Sequence, residues 1–195
     1  MIFEIIKNYF GKQKNEQVEE SLYSLPVVES TFFSEEELTK ILGEHSVWLK
    51  TNGSFGKKAS FNGMVIPSSN FFMADLKKAD FQGSDLSKSQ FQWADLSGAN
   101  FTDANLEDTD FFQSNLKKAS FKKASLIRTN LMSVEASEAD FSNANLSMAD
   151  LRSARCDNAI FFQTDLKEAK LDLGEFNKVD FGSALNFTDN LFGKI

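Results

Sequence analysis

The hydrophobic positions of this chain keep a period of five. Taken five at a time from Phe61 to Phe181, all but Ile66, Ala136 and Cys156 are Phe or Leu. Two residues earlier, all but Met64, Val134 and Val179 are Ala, Ser, Thr or Gly. The residue between is most often Asp or Asn, as in Ala74-Asp75-Leu76 and Ala144-Asn145-Leu146, and the remaining two are mostly polar. An amphipathic helix cannot carry this pattern, because a step of five residues turns the apolar position by about 140° net and the stripe wanders round the cylinder. An extended segment can, since positions two apart face the same side. The small and the large residue then both point inward and the two polar residues turn a corner. Each five becomes one side of a coil, and coils stack through backbone hydrogen bonds about 4.8 Å apart.

The identity of the large residue sets the number of sides. Phe61, Phe81, Phe101, Phe121, Phe141, Phe161 and Phe181 form a series that never changes. The series ten residues out of phase runs Phe71, Phe91, Phe111 and then Leu131, Leu151, Leu171. A ten-residue coil would merge these two series, so their separation predicts twenty residues and four sides per coil. About six coils make a rod roughly 30 Å long. Near Ala136 the third and fourth columns both shrink, and compensation is expected from Met132, Val134 or a local backbone shift, failing which a small cavity remains. Cys156 occupies a core slot as a small apolar filler. After Phe181 the pattern degrades: either Asn186 enters a core slot, or a one-residue insertion makes Asn186-Phe187 the next unit. Phe187, Leu191, Phe192 and Ile195 are available to cover the open end or to meet a second copy.

The units Ala-Asp-Leu-x-x and Ala-Asn-Phe-x-x resemble the pentapeptide-repeat family from residue 59 to about 183. The resemblance implies an all-β solenoid, a right-handed quadrilateral parallel β-helix, with a helical N-terminal cap. The best-known activity of that family is binding type II topoisomerases, in which an acidic rod resembles duplex DNA.

The first 58 residues do not repeat and are read as an N-terminal helical segment, linker and cap, with 59–195 as the β-helix and its C-terminal cap. Residues 34–52 read as a helix: Ser34 and Glu37 fit a capping box, Phe33 and Leu38 a hydrophobic staple, and Gly53 a C-terminal cap. Leu38, Ile41, Leu42, His45, Trp48 and Leu49 follow helical spacing. With Gly53, Gly56 and Ala59 they resemble a leader found before the coils in many family members. His45, the only histidine, reads as a packed or capping residue. Residues 2–10 form a second amphipathic stretch, which could fold back, pair with another subunit or touch a membrane. Residues 11–30, with Pro26, read as a linker or loop.

Composition narrows the function. The net charge of −7 disfavours a general nucleic-acid binder. The apolar runs are too short to span a bilayer, the start lacks the pattern of a secretory signal, and a single cysteine precludes an internal disulfide. A cytoplasmic protein is expected. The 21 Phe against 2 Trp and 2 Tyr point to buried slots that cannot accept a polar tip. No converging set of unlike groups marks a catalytic site, so the expectation is no enzyme, no cofactor and no metal. The repeated Asp and Asn are expected to serve local backbone hydrogen bonds.

Two surface features stand out. On the third side the outward positions include Phe72, Met73, Trp93, Phe112 and Met132, with Gln92 interrupting the stack. Exposed contiguous aromatics are normally covered, by the chain's own N-terminal segment, a protein partner or a dimer mate. On the fourth, Lys77, Lys78, Lys117 and Lys118 form paired steps. Residues 59–195 hold 19 acidic and 14 basic residues. That net of −5 imitates poorly the roughly 18 charges that 30 Å of DNA presents. The expected function is therefore a non-enzymatic scaffold or adaptor for a protein partner, with a DNA-mimicking binder of type II topoisomerase (DNA gyrase) as the alternative.

Overall fold

The computed structural model describes residues 34–188. The chain divides into two compact units, Met1–Phe32 and Phe33–Ile195, and the description concerns the second. The stretch 2–10, the linker 11–30, Phe33 of the staple, and Leu191, Phe192 and Ile195 lie outside the described residues.

Parallel bridges join residues twenty apart, from Ser60–Asp80 to Asp165–Leu185. One middle residue per side takes part, so each side is a single bridged position between corners rather than a full strand. The large residue donates its N–H upward, as from Phe61 to the Asp80 carbonyl at 2.7 Å, and the middle residue donates downward, as from Asp80 to Ala59 at 3.0 Å. Most corners close with the small residue's N–H on the large residue's carbonyl three before it, as from Met64 to Phe61 at 3.0 Å. The third residue of the corner has positive φ, the mark of a type II turn. Gly63, Gly83 and Gly98 fill it in places, but Met73 (φ 56°), Trp93 (φ 63°) and Leu173 (φ 59°) also stand there. That conformation costs a non-glycine residue about 1–2 kcal/mol. The corner residue's N–H compensates by joining the ladder, as Met73 does to the Gln92 carbonyl at 3.0 Å.

The middle Asp or Asn holds the corner. Its Oδ1 accepts the N–H two residues on: Phe72 to Asn70 at 2.9 Å, Gln82 to Asp80 at 3.2 Å, Thr102 to Asn100 at 3.1 Å, Phe112 to Asp110 at 2.9 Å. These are Asx turns, as the repeated slot led us to expect. Between coils the two residue types are not equivalent. Asn100 donates to Asp80 at 3.0 Å, Asn105 to Asp85 at 3.1 Å, Asn115 to Asp95 at 3.1 Å and Asn130 to Asp110 at 2.8 Å. Bridged carboxylates stacked directly would repel. Where Asp75 does pair with Asp95, Lys77 bridges them at 3.2 and 3.3 Å.

The inward residues build two aromatic columns. In the first, Phe81 and Phe101 stack at 4.7 Å and 2°, and Phe101 and Phe121 at 5.0 Å and 3°. In the third, Phe71 and Phe91 stack at 4.6 Å. Across the interior the columns meet edge to face, Phe81 to Phe91 at 5.7 Å and 90°. Slots this uniform leave no place for a phenol or indole donor. Beside Ala136 the small slot holds Val134, fully buried, which supplies volume the columns lose there. Cys156 is buried likewise, and burial pushes its thiol far up, away from reactivity.

Helix α1, Glu35–Lys50, precedes the coils. Ser34 and Glu37 form the reciprocal capping box. At the far end Asn52 takes the left-handed conformation (φ 50°), and the Gly53 N–H donates to Trp48 at 2.8 Å. This is a Schellman closure, so Asn52 stands at the left-handed position and Gly53 one residue beyond it. Leu38, Ile41 and Leu42 pack against the core. His45 is fully buried, stacks on Trp48 at 5.6 Å, and accepts the Ala59 N–H on Nδ1 at 3.0 Å. Gly56 (φ 74°) lies so close to the Glu44 carbonyl and the Trp48 nitrogen that a Cβ could not fit.

The ladder loses its regularity at the far end. No bridge joins Ile160 to Asp180 among the described residues, and Phe161 and Phe181 tilt to 40°. Asn186 stays out of the core, left-handed (φ 55°) and exposed, donating to Asp165 at 2.6 Å. Phe187 stacks on Phe181 at 4.6 Å and 3° instead. Leu185 still bridges Asp165, so the regular register reaches it, and of the two expectations the core slot for Asn186 is the one that fails.

Candidate interaction surface

The third corner carries the apolar stripe. Its second positions stack as Phe72, Gln92, Phe112, Met132 and Arg152, and its left-handed positions begin with Met73 and Trp93. Phe72 is 52% exposed, Met73 67% and Trp93 54%. Phe112 and Met132 are half-buried. Trp93 lies edge-on to Phe112 at 6.0 Å and 85°, which shields Phe112. Gln92 breaks the stripe because its Nε2 donates to Asp110 at 2.8 Å. Met132 is flanked from the next coil by Arg152, whose Nη2 lies 3.6 Å from Sδ while the same guanidinium grips Asp150 at 2.6 Å. The five residues expected to share a surface do lie on one corner, but the open part is Phe72, Met73 and Trp93.

Other exposed apolar residues lie elsewhere, among them Ile160 and Phe162. Ile160 takes a middle slot where Asp or Asn would receive the N–H of residue 162. In the sequence nothing marks it, because Ser60, Asp80, Asn100, Ser120 and Asp140 precede it in its stack.

Part of the charged surface is paired. On the fourth side and corner Lys77 bridges Asp75 and Asp95, Lys117 meets Glu135 at 3.3 Å, and Arg155 meets Glu135 at 3.2 Å and Glu175 at 3.4 Å. Arg128 pairs with Asp108 at 2.7 Å, which raises the guanidinium and lowers the carboxyl through their hydrogen bond. Three of the four stacked lysines, Lys77, Lys117 and Lys118, pair with acids one coil away, so the steps are not a free basic strip. Among the described residues no group of His, Cys, Asp and Glu is placed to hold a metal ion, and no helix is long and apolar enough to cross a membrane.

The chain matches the family described as pentapeptide repeats at residues 74–113, 109–147 and 137–177. No curated protein matches it. Among solved structures, a pentapeptide repeat protein from the Arabidopsis thaliana thylakoid lumen is 27% identical, over 56% of this chain and 72% of its own, with a TM-score of 0.51. QnrB1, a plasmid-mediated fluoroquinolone resistance protein, is 27% identical over 66% of this chain and 73% of its own, with a TM-score of 0.44. A pentapeptide repeat protein from Nostoc Pcc 7120 is 31% identical over 61% and 77%, with a TM-score of 0.35. The five-residue period, the bridges between residues twenty apart and the family match agree: this chain belongs to the pentapeptide-repeat family.

Proposed function

We propose that this chain is a non-enzymatic scaffold, a right-handed β-helix of about six coils over residues 59–195 with α1 as its N-terminal cap, that binds a protein partner through Phe72, Met73, Trp93, Phe112 and Met132. One observation carries the reading. Trp93 stands at a left-handed corner, φ 63° and 54% exposed, where a bulky side chain is unfavourable and contributes nothing to the core. An aromatic held there beside exposed Phe72 and Met73 is better explained by contact with a partner than by folding.

The experiment compares the full chain with a Trp93→Glu, Phe112→Glu variant, both verified as folded by circular dichroism. A partner retained by the wild type is identified, purified and recombined, and the reading requires that the variant lose the reconstituted complex. A dimeric wild type with a monomeric variant, by light scattering, identifies the partner as a second copy. A variant that alone becomes sensitive to proteolysis before residue 33 assigns the stripe to the chain's own N-terminal segment and overturns the reading. Topoisomerase binding is the alternative, and inhibition of DNA supercoiling by the wild type would establish it. Against it stand the alternation of Asp with Asn and the ion-paired fourth side, which leave no continuous row of uncompensated carboxylates among the described residues.

A further inference from the structure

We propose that protonation of His45 releases α1 from the first coil, so that the N-terminal cap is a pH-operated latch. Two polar bonds tie α1 to the start of the coils: the Lys57 N–H donates to the Glu44 carbonyl at 3.2 Å, and the other belongs to His45. Nδ1 of His45 accepts the Ala59 N–H at 3.0 Å, which requires that nitrogen to be unprotonated. A doubly protonated ring would present N–H to N–H, and the bond would become a repulsion. It would also place a charge at a position with no exposure, on a ring whose Nε2 is buried and lacks a hydrogen-bond partner of good geometry.

The surroundings favour the neutral ring. Burial dominates and lowers the pKa of His45 below its ordinary value; Asp75 and the Lys77 backbone oppose this and Lys58 adds to it. Asp75 is held by Lys77 at 3.2 Å, so it is a weak counter-ion for an imidazolium. The sign follows. A histidine whose pKa is lower in the closed form than in the open one supports closure above the open-form value of about 6.5. That support is lost as the pH falls from there to the closed-form value.

Release has a structural consequence. In the regular ladder the middle residue donates its N–H to the coil before it, as Asp80 does to Ala59. In the first coil the equivalent donors are Ser60, Val65, Asn70 and Asp75, with no coil before them among the described residues. These four residues are exposed already, and moving α1 away adds the end of the core columns to that edge, a surface suited to pairing with another chain.

The test uses the full chain labelled with 15N. His45 is the only histidine, so its ring signals are unambiguous. Amide exchange is followed from about pH 7.5 to about pH 4.5 and corrected for intrinsic rates. Opening at Leu38, Ile41, Leu42 and Ala59 is expected to rise by up to about tenfold per pH unit below about 6.5, while amides from Phe101 to Phe141 stay protected. His45→Asn offers Oδ1 to the Ala59 N–H without a titrating ring, and its profile is expected to be flat. A flat wild-type profile through the titration of the ring overturns the proposal, as does an equal rise in the Asn variant. A ring pKa at or above 6.5 in the wild type overturns it without any variant.

Discussion

Replacing Asn100 with Asp tests whether Asp and Asn alternate for an electrostatic reason. The change is nearly isosteric and keeps the Asx turn, because an aspartate Oδ1 accepts the Thr102 N–H as the amide oxygen does at 3.1 Å. What it removes is the Nδ2 donor to Asp80 at 3.0 Å, and what it adds is a second carboxylate one coil away. A hydrogen bond to a charged group contributes about 1.5–3 kcal/mol, with the lower end suited to half-buried side chains. Two like charges about 5 Å apart repel by about 1 kcal/mol in water and about 3 kcal/mol at an effective dielectric of 20. The variant should therefore lose about 2–4 kcal/mol at neutral pH and low salt. Urea unfolding followed by far-UV circular dichroism reads it. Raising the salt to about 0.5 M should recover part of the repulsion but not the lost bond. The double variant Asp80→Asn, Asn100→Asp restores one charge per pair and should recover most of the loss. Equal stability of Asn100→Asp and wild type at neutral pH and low salt would refute the reasoning, as would a double variant no better than the single.

Four further outcomes follow from other parts of the structure. Phe101→Ala deletes a ring stacked on both sides and met edge-on by Phe91 and Phe111, and should cost about 3–5 kcal/mol; Phe101→Leu should cost clearly less by the same urea titration. Gly56→Ala drives a Cβ into the backbone of α1, whereas Gly98→Ala meets only the Lys78 Cγ at 3.5 Å; both also suffer positive φ, so Gly56→Ala should be the more destabilising by at least about 2 kcal/mol in thermal unfolding. Burial alone would raise the carboxyls of Asp140 and Asp150, but Ser142 with Lys122, and Arg152, hold them below the ordinary range; in a His45→Asn background, which removes the loss that the buried ring causes below about pH 6.5, global stability should stay flat down to about pH 4.5 and fall as the pH drops through their folded values. Cys156 should resist a thiol reagent in the native state and react fully in denaturant.

Most of the fold could be read from the sequence because one slot, repeated, carries one physical demand. Keeping Phe and Leu in separate columns identified the twenty-residue coil, and the Ser34–Glu37 capping box and buried His45 placed α1 before it. What escaped was information that exists only between coils. Asp and Asn look interchangeable along the chain, since either closes an Asx turn, and only stacking separates donor from charge. The corner backbone was equally hidden: nothing in Trp93 or Leu173 announces positive φ, because the demand comes from the turn and not from the residue. Asn186 was undecidable by pattern, since both registers satisfied it; in the structure it turns outward and Phe187 stacks on Phe181. The stripe at the third corner was visible as outward apolar residues, but its graded exposure depends on Trp93 leaning on Phe112 and Arg152 flanking Met132.

The bridging of residues twenty apart makes this chain respond to insertions and deletions like a combination lock. Removing a whole coil shortens the stack but leaves every downstream side chain on its own side. Removing a single unit of five keeps small and large residues inward, yet rotates everything beyond the cut by a quarter turn. Cutting residues 82–86, for example, would carry Trp93 from the third corner to the second, away from Phe72, with the core columns reshuffled behind it. A shift of one residue exchanges inside for outside. Gene duplication in steps of sixty nucleotides can thus lengthen such a protein without disturbing its surface, while steps of fifteen re-deal the surface on a fold that still closes.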